Sequence, residues 1–277
     1  MGILKGEIVN CLPGKGFPAV SVTGKKCDLM CAHCLGHHLC GMIFADNPEK
    51  LYEEAKIVKS TNGNGLLISG GSDINGKVPL FRYASTIRKI VELGLSINVH
   101  PGIIGREDAD LLVSSGVDYF SVDVHQDPDV IRKVFNLKGP EIYNDTMDAI
   151  IGAGGMVMPH LTVGLSFKDL IESAELVKDK GLKNVVILAL VPTKGTIFEN
   201  YRISEDEIID SIEAVMKMDL NVTLGCMRDR RMRNVEKRCI ELGINKIANM
   251  SKETEKWAES EGYKIIRTNK CCCFPLE

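Results

Sequence analysis

No apolar run in the 277-residue chain is long enough to cross a bilayer; the longest, VVILALV at 185–191, falls far short of the ~20 residues a spanning helix needs. The opening MGILKGEIVNCLPG holds no apolar stretch of the kind a secretory signal carries. An excess of one charge is also lacking. Lys and Arg number 34 against 37 Asp and Glu, a formal net charge of −3, which argues against nucleic acid or an anionic membrane as the main partner. Basic side chains gather once, in RDRRMRNVEKR (228–238), whose apolar spacing reads first as the solvated face of a helix. A soluble cytoplasmic protein is the expectation.

Cysteine, by contrast, is plentiful, with ten residues. The cytosol keeps thiols reduced, so disulfides are not expected. The clusters at 27–34 and 271–273 point instead to metal ligation.

Short β-branched runs alternate with amphipathic stretches. Strands are predicted at 19–24, 65–71, 96–102, 119–125, 157–164, 184–192, 221–227 and 246–251. Between them, PEKLYEEAKIVKS sets Leu51, Ala55 and Val58 on one helical stripe. SEDEIIDSIEAVMKM opens with a Ser cap and an acidic first turn, and SFKDLIESAELVKDKG runs from Ser166 to a terminating Gly181. Eight strand–helix units without an evident linker fit one α/β domain over 1–277, with a core of about 17–262 and a tail at 263–277. The architecture expected is a parallel (βα)8 TIM-type barrel, complete or partial, rather than an open doubly wound sheet. The strands read as continuous apolar runs, as when both faces are covered. Chemistry in such a barrel lies at the C-terminal strand ends. Here they carry Ser69, Gly70, Gly71, His100, Asp123, His125, Thr162, Pro192 and Cys226.

CDLMCAHC places Cys27, Cys31 and Cys34 on the loop after the first of these strands. An iron–sulfur cluster usually takes four cysteines, so three leave one iron open to an outside ligand. The alternative is structural zinc with His33, His37 or His38 as fourth ligand, but such sites usually use two separated ligand pairs.

CxxxCxxC in the first loop of a βα barrel resembles the radical S-adenosylmethionine enzymes, and the resemblance covers nearly the whole chain. It implies that Cys27, Cys31 and Cys34 bind a [4Fe–4S] cluster whose open iron is chelated by the amine and carboxylate of S-adenosylmethionine. An electron then cleaves the sulfonium C–S bond, giving methionine and a 5′-deoxyadenosyl radical. His33 stands where the family usually has an aromatic residue. SGGSD (69–73) resembles the glycine pair that meets the methionyl amine; Ser72 replaces the usual acidic residue, so Asp73 is the candidate for the charge. Taken alone, Gly70-Gly71 is an ordinary turn. SVDVH (121–125) ends the fourth predicted strand, where the resemblance implies a ribose contact from Asp123, with His125 beside it. Read alone, Asp123 is a capping carboxylate. LVPTKGTIFEN (190–200) resembles a segment of biotin synthase and its relatives, with Pro192, Gly195 and Thr196 in matching positions, which implies a backbone contact to the adenine.

Of the remaining thiols, Cys239 occupies an apolar helical position and reads as core. Cys11 precedes the first predicted strand and is expected at the opposite end of the barrel. Cys226 ends the seventh predicted strand at the mouth, and the apolar FPLE is expected to anchor the tail over that mouth. These placements give an auxiliary iron–sulfur cluster held by Cys226 and some of Cys271, Cys272 and Cys273, with Cys40 in reserve. Side chains of an extended tail alternate in direction, so all three tail thiols need a turn to face one cluster. In biotin and lipoyl synthases such a cluster is consumed as the sulfur source.

LGCMRDRR and the cysteine-rich tail most resemble the smaller component of a two-protein lipoyl synthase. That implies sulfur insertion into an octanoyl chain on a lysine of a lipoyl carrier protein, with a second radical protein and a reducing electron donor as partners. Arg228, Arg230 and Arg231 are candidates to meet an acidic carrier surface, or else belong to a solvated helix face. Other readings are a radical enzyme acting on dethiobiotin, a peptide or another small molecule, and a metal or iron–sulfur carrier without catalysis.

Overall fold

The computed structural model describes residues 6–275. Its eleven strands are β1 (Glu7–Cys11), β2 (Ala19–Ser21), β3 (Ile43–Phe44), β4 (Gly65–Ser69), β5 (Ser96–Val99), β6 (Tyr119–Asp123), β7 (Val157–Val163), β8 (Asn184–Ala189), β9 (Asn221–Leu224), β10 (Lys246–Ala248) and β11 (Lys264–Thr268). All eight predicted strands form, each shorter than its apolar run because the last residues turn out into loops. β1, β3 and β11 are additional. Nine helices alternate with them: α1 (Pro48–Ser60), α2 (Ala84–Glu92), α3 (Arg106–Ser114), α4 (Pro128–Phe135), α5 (Glu141–Gly152), α6 (Phe167–Asp179), α7 (Glu205–Met216), α8 (Arg233–Glu241) and α9 (Lys252–Ser260).

The predicted helix starts hold. Asn47, Ser166 and Ser204 accept backbone N–H bonds from Lys50, Asp169 and Glu207 at 2.9, 3.2 and 3.0 Å. The α1 stripe of Leu51, Ala55 and Val58 is buried.

Every strand pair is parallel, in the order β11-β1-β10-β9-β8-β7-β6-β5-β4-β2-β3. Among the described residues no pairing joins β3 to β11, so the sheet curls into a partial barrel. Side chains alternate along each strand. Outward positions such as Leu66, Ile68, Ile97, Val99 and Phe120 form one core with the helices, each burial contributing about 1.5–3 kcal/mol.

The inward rows are different. β5 carries Asn98, β6 carries Ser121 and Asp123, and β7 carries His160 and Thr162, with His100 just beyond β5. The expectation of evenly apolar strands is therefore corrected for β5 to β7, whose inner face turns polar where it lines a lumen, while Val9, Val186, Leu188 and Ala248 keep the inner face of β1, β8 and β10 apolar.

The tail crosses the barrel floor, not the mouth. Phe274 packs edge-on against Phe17 and Tyr119, at 5.4 and 4.8 Å between ring centroids. Lys246, at the entry of β10, donates to its carbonyl. An aromatic anchor is drawn to apolar rings at the strand entries. Of the FPLE anchor, Leu276 and Glu277 lie outside the described residues.

Candidate active site

The loop after β2 winds tightly. Met30 and Leu35 adopt φ of 48° and 46° and Gly36 follows at 78°, a left-handed stretch that costs two non-glycine residues conformational energy. α4 and the residue after it hold this loop in place. Ala32 N–H donates to the Val134 carbonyl at 2.7 Å, and Asn136 Nδ2 donates to the carbonyls of Leu29 and Met30 at 3.0 and 3.1 Å. Leu29, Cys31, Val130, Val134 and Phe135 pack together, with Cys27, Cys34 and Phe198 against them. Burial pushes the Cys31 thiol up to about 12, with Cys34 and Cys27 adding to it, and burial also raises Cys34. Such thiols stay protonated unless a bound metal displaces the proton.

His33 stacks on Phe135 at 5.1 Å, and burial lowers it to about 4. A neutral ring thus takes the place of the usual aromatic residue. His33, Cys34 and His38 also offer ligand atoms within 4.8 Å of one another.

A cavity of about 210 Å³ opens above the three cysteines, which line it together with Ser69, Gly70, Gly71, Ser72, His100 and Asp123. A Cβ on Gly71 would sit 2.0 Å from the Lys26 carbonyl and 2.6 Å from Cys27, so this glycine is required by the approach of the cysteine loop and not merely by a turn. The Ser72 carbonyl accepts from the N–H groups of Asp28 and Leu29, tying the same two segments together. Asp73 turns away: its carboxylate accepts from the N–H groups of Asn75 and Lys77 at 2.8 and 3.0 Å, satisfying its own turn. It is not placed to supply charge to the cavity.

Asp123 faces the lumen amid imidazoles. Burial opposes its charge, but His100, His160, His125 and His33 outweigh that, and its carboxyl is held below the usual range. Burial pushes His160 down to about 4 and lowers His100. Near neutral pH the His160 ring is therefore uncharged, and Asp123 carries the negative charge. His125 is buried behind this surface. Its Nδ1 lies 2.7 Å from Asp169 Oδ2, and its buried Nε2 has no hydrogen-bond partner. Asp169 also accepts the N–H groups of Gln126 and Asp127, so it fixes the end of β6.

Pro192, Gly195 and Thr196 lie on the loop after β8 and do not line this cavity. The Thr196 hydroxyl donates to the Thr193 carbonyl at 2.7 Å, closing its own turn; Phe198 is the residue of that loop that reaches the cysteine loop.

The second thiol group is brought together lower in the barrel. Cys271, Cys272 and Cys273 place their sulfurs within 4.8 Å of one another, because the tail turns there. Asn98 Nδ2 donates to the sulfurs of Cys271 and Cys273, both at 3.5 Å, and Ser121 Oγ lies 3.2 Å from Cys273 Sγ. Cys226 sits just beyond β9, exposed by area yet crowded by the strand tops, and burial, with Cys271 adding to it, raises its thiol. Cys40 is exposed on the turn His37–Gly41 of the cysteine loop, at the mouth; since the tail lies on the floor, Cys40 does not join it.

Cys11 ends β1 and faces inward, sharing an apolar cluster with Cys272 and Cys273, so it lies with the tail thiols and not apart from them. Cys239 is in the outer core, as expected.

The basic stretch is a helix face in part: its residues from Arg233 onward open α8, with Arg233 exposed and Val235 buried, while Arg228, Arg230 and Arg231 precede the helix. Arg228 is buried, donating to the carbonyls of Gly225 and Ala248 at 2.6 and 2.8 Å and pairing with Glu236 at 2.5 Å. Arg230 donates to the Cys226 carbonyl at 2.8 Å, and Arg231 pairs with Asp229 at 2.6 Å. All three already have partners within the chain. No helix among the described residues is long and apolar enough to cross a membrane.

A parallel barrel with three convergent thiols above a polar lumen defines a class: proteins that seat an iron–sulfur cluster with one iron open to a small ligand. The donor set fits such a cluster, with Gly71 leaving the space beside it. The model for the Radical SAM superfamily matches residues 21–197, and the chain belongs to that superfamily. Its curated relatives include biotin synthases.

The biotin synthase of Psychromonas ingrahamii is 26% identical over 212 residues, covering 72% of this chain and 60% of that protein. The biotin synthase of Thermotoga neapolitana is 25% identical over 201 residues, covering 68% and 70%. The chain thus spans less than two thirds of the first of these relatives. Among solved structures, methylornithine synthase aligns with a TM-score of 0.67 at 16% identity, covering 95% of this chain and 84% of that one. The FeFe-hydrogenase maturase HydG of Carboxydothermus hydrogenoformans aligns at 0.69 and 17%, covering 98% and 70%.

Proposed function

We propose that the protein inserts sulfur into an unactivated carbon chain, acting as one component of a lipoyl synthase on an octanoyl group linked to a lysine of a carrier protein. The reading is carried by the shared lumen. One cavity wall runs from Cys27, Cys31 and Cys34 down to Ser121, whose hydroxyl lies 3.2 Å from Cys273. A carbon radical formed beneath the upper thiols has a short path to sulfur held by the lower ones. When bound, the upper cluster with S-adenosylmethionine supplies the radical, and an auxiliary iron–sulfur cluster supplies the sulfur. The chain's own part is to hold and orient. Cys27, Cys31 and Cys34 anchor one cluster, Asp123 offers a carboxylate to a ribose, and Phe198 and Phe135 keep water from the cysteine loop. Cys226 and the tail thiols offer the second anchor. A second radical protein and an electron donor complete the reaction. The biotin synthase relatives support sulfur chemistry; LGCMRDRR and the tail support the octanoyl substrate.

A second reading is favoured by His100 and His160, whose rings meet at 4.9 Å between centroids in the polar part of the lumen. It takes a small polar substrate such as dethiobiotin.

The deciding experiment offers an octanoyl-lysyl peptide and dethiobiotin in parallel, anaerobically, with reductant, alone and with a second radical protein. The expected result is a gain of sulfur in the peptide. Gain in dethiobiotin alone transfers the assignment to the second reading, and gain in neither rejects sulfur insertion. Cleavage of S-adenosylmethionine is expected to vanish in Cys27→Ala, Cys31→Ala and Cys34→Ala and to persist in Cys226→Ala, which loses sulfur transfer.

A further inference from the structure

The proposed second cluster needs ligands that stand apart, because each thiolate of a cubane binds its own iron. Cys271, Cys272 and Cys273 fail that requirement as a trio, since their sulfurs all lie within 4.8 Å of one another. They do not all take corners as they stand. Cys271 is the partly exposed member, while Cys272 and Cys273 are buried, as is Cys11. The other corners must come from the barrel wall beside it.

β1 supplies one. It lies between β10 and β11, with Cys11 in register with Ala248 and with Thr268, three residues before Cys271. The neighbouring, outward row Asn10↔Ile247↔Leu224 carries the register across β10 to β9, which Cys226 follows by two residues. Asn10 points outward to Glu255 on α9, at 2.7 Å, so its neighbour Cys11 points inward. Inward-facing Val9 and Cys11 lie in one cluster with Ala248, Met158 and Cys272. Three thiols thus come from one stretch of the sheet, β9-β10-β1-β11: Cys226 after β9, Cys11 on β1 and Cys271 after β11.

We propose that Cys11 is a ligand of the auxiliary iron–sulfur cluster, together with Cys226 and Cys271. The assignment rests on the second cluster of the proposed function and names its anchoring residues. Iron would then bridge the first strand and the segment following the last.

The test uses the full chain carrying Cys27→Ala, Cys31→Ala and Cys34→Ala, so that only the second site reports. Anaerobic reconstitution is expected to give about four irons per chain, one cubane, and Cys11→Ala in this background less than about one. Cys239→Ala, which removes a thiol elsewhere, and Val9→Ala, which opens space on the same strand face, are expected to keep the iron. Should Cys11→Ala not fold, Cys11→Ser fills nearly the same volume, and the paramagnetic resonance of the reduced cluster is expected to shift or vanish. Full iron with an unchanged spectrum in the Cys11 variants overturns this assignment alone. No iron in the parent triple variant overturns the second cluster, and this assignment with it.

Discussion

Gly71 has no room for a side chain, because the Lys26 carbonyl and Cys27 press against it. Gly71→Ala is expected to push the cysteine loop aside at a cost of about 1–3 kcal/mol and to cut S-adenosylmethionine cleavage at least tenfold. Gly70→Ala, whose added carbon would meet the Thr23 side chain at 3.0 Å, is expected to do less. Cleavage assays and iron content on both variants check this ordering. His33 makes a second prediction. Its ring stacks on Phe135 and is neutral, so His33→Phe is expected to keep cluster loading and His33→Asp to lose it, read from the visible absorbance of the cluster. Cys27, Cys31 and Cys34 were legible because three ligands within eight residues are a local pattern. Asn136, which holds the loop through Leu29, and Ser121, which touches Cys273, were not. Their partners are 107 and 152 residues away, and no spacing rule connects them.

At the level of elements, Arg228 braces three segments: the end of β9, the end of β10 and, through Glu236, helix α8. Truncation leaves a buried carboxylate without its partner, so Arg228→Ala is expected to cost about 3–5 kcal/mol. A urea titration of the iron-free protein measures it, and a loss under about 1 kcal/mol would contradict the bracing role. The strand–helix alternation was readable because outward faces are apolar and helix caps are local signals. The inward faces were misjudged. Asn98, Ser121 and His160 sit inside runs otherwise rich in Val, Ile and Met, and a run with one apolar face and a lumen resembles one buried on both. β3, two residues long, lies below any periodicity. β1 and β11 pair with each other across almost the entire chain, so neither had a local reason to be read as a strand, and Cys11 was set apart from the tail thiols.

For the whole molecule, buried imidazoles predict acid sensitivity. His33 and His160 are pushed down to about 4 from an ordinary value of 6.5. Unfolded chains therefore take up protons before the folded form does, and stability falls as the pH drops from about 6.5 toward 4. Glu236 acts in the same direction at lower pH, since its carboxyl is held below its ordinary value: burial opposes the charge, but the Arg228 bond and the Ser251 N–H outweigh it. Melting of the iron-free protein is expected at lower temperature at pH 5 than at pH 7, with the difference reduced in His160→Gln. An equal melting temperature at both values contradicts the depressed imidazoles.

The pairing of β1 with β10 and β11 also bears on how the protein is made. Residues 7–11 leave the ribosome well before their hydrogen-bonding partners, which follow roughly 240 residues later, some tens of seconds at ordinary elongation rates of ~5–20 residues per second. Through that interval a strand with buried Ile8 and Val9 lacks its neighbours, so the nascent chain carries an uncovered apolar edge until β10 and β11 emerge.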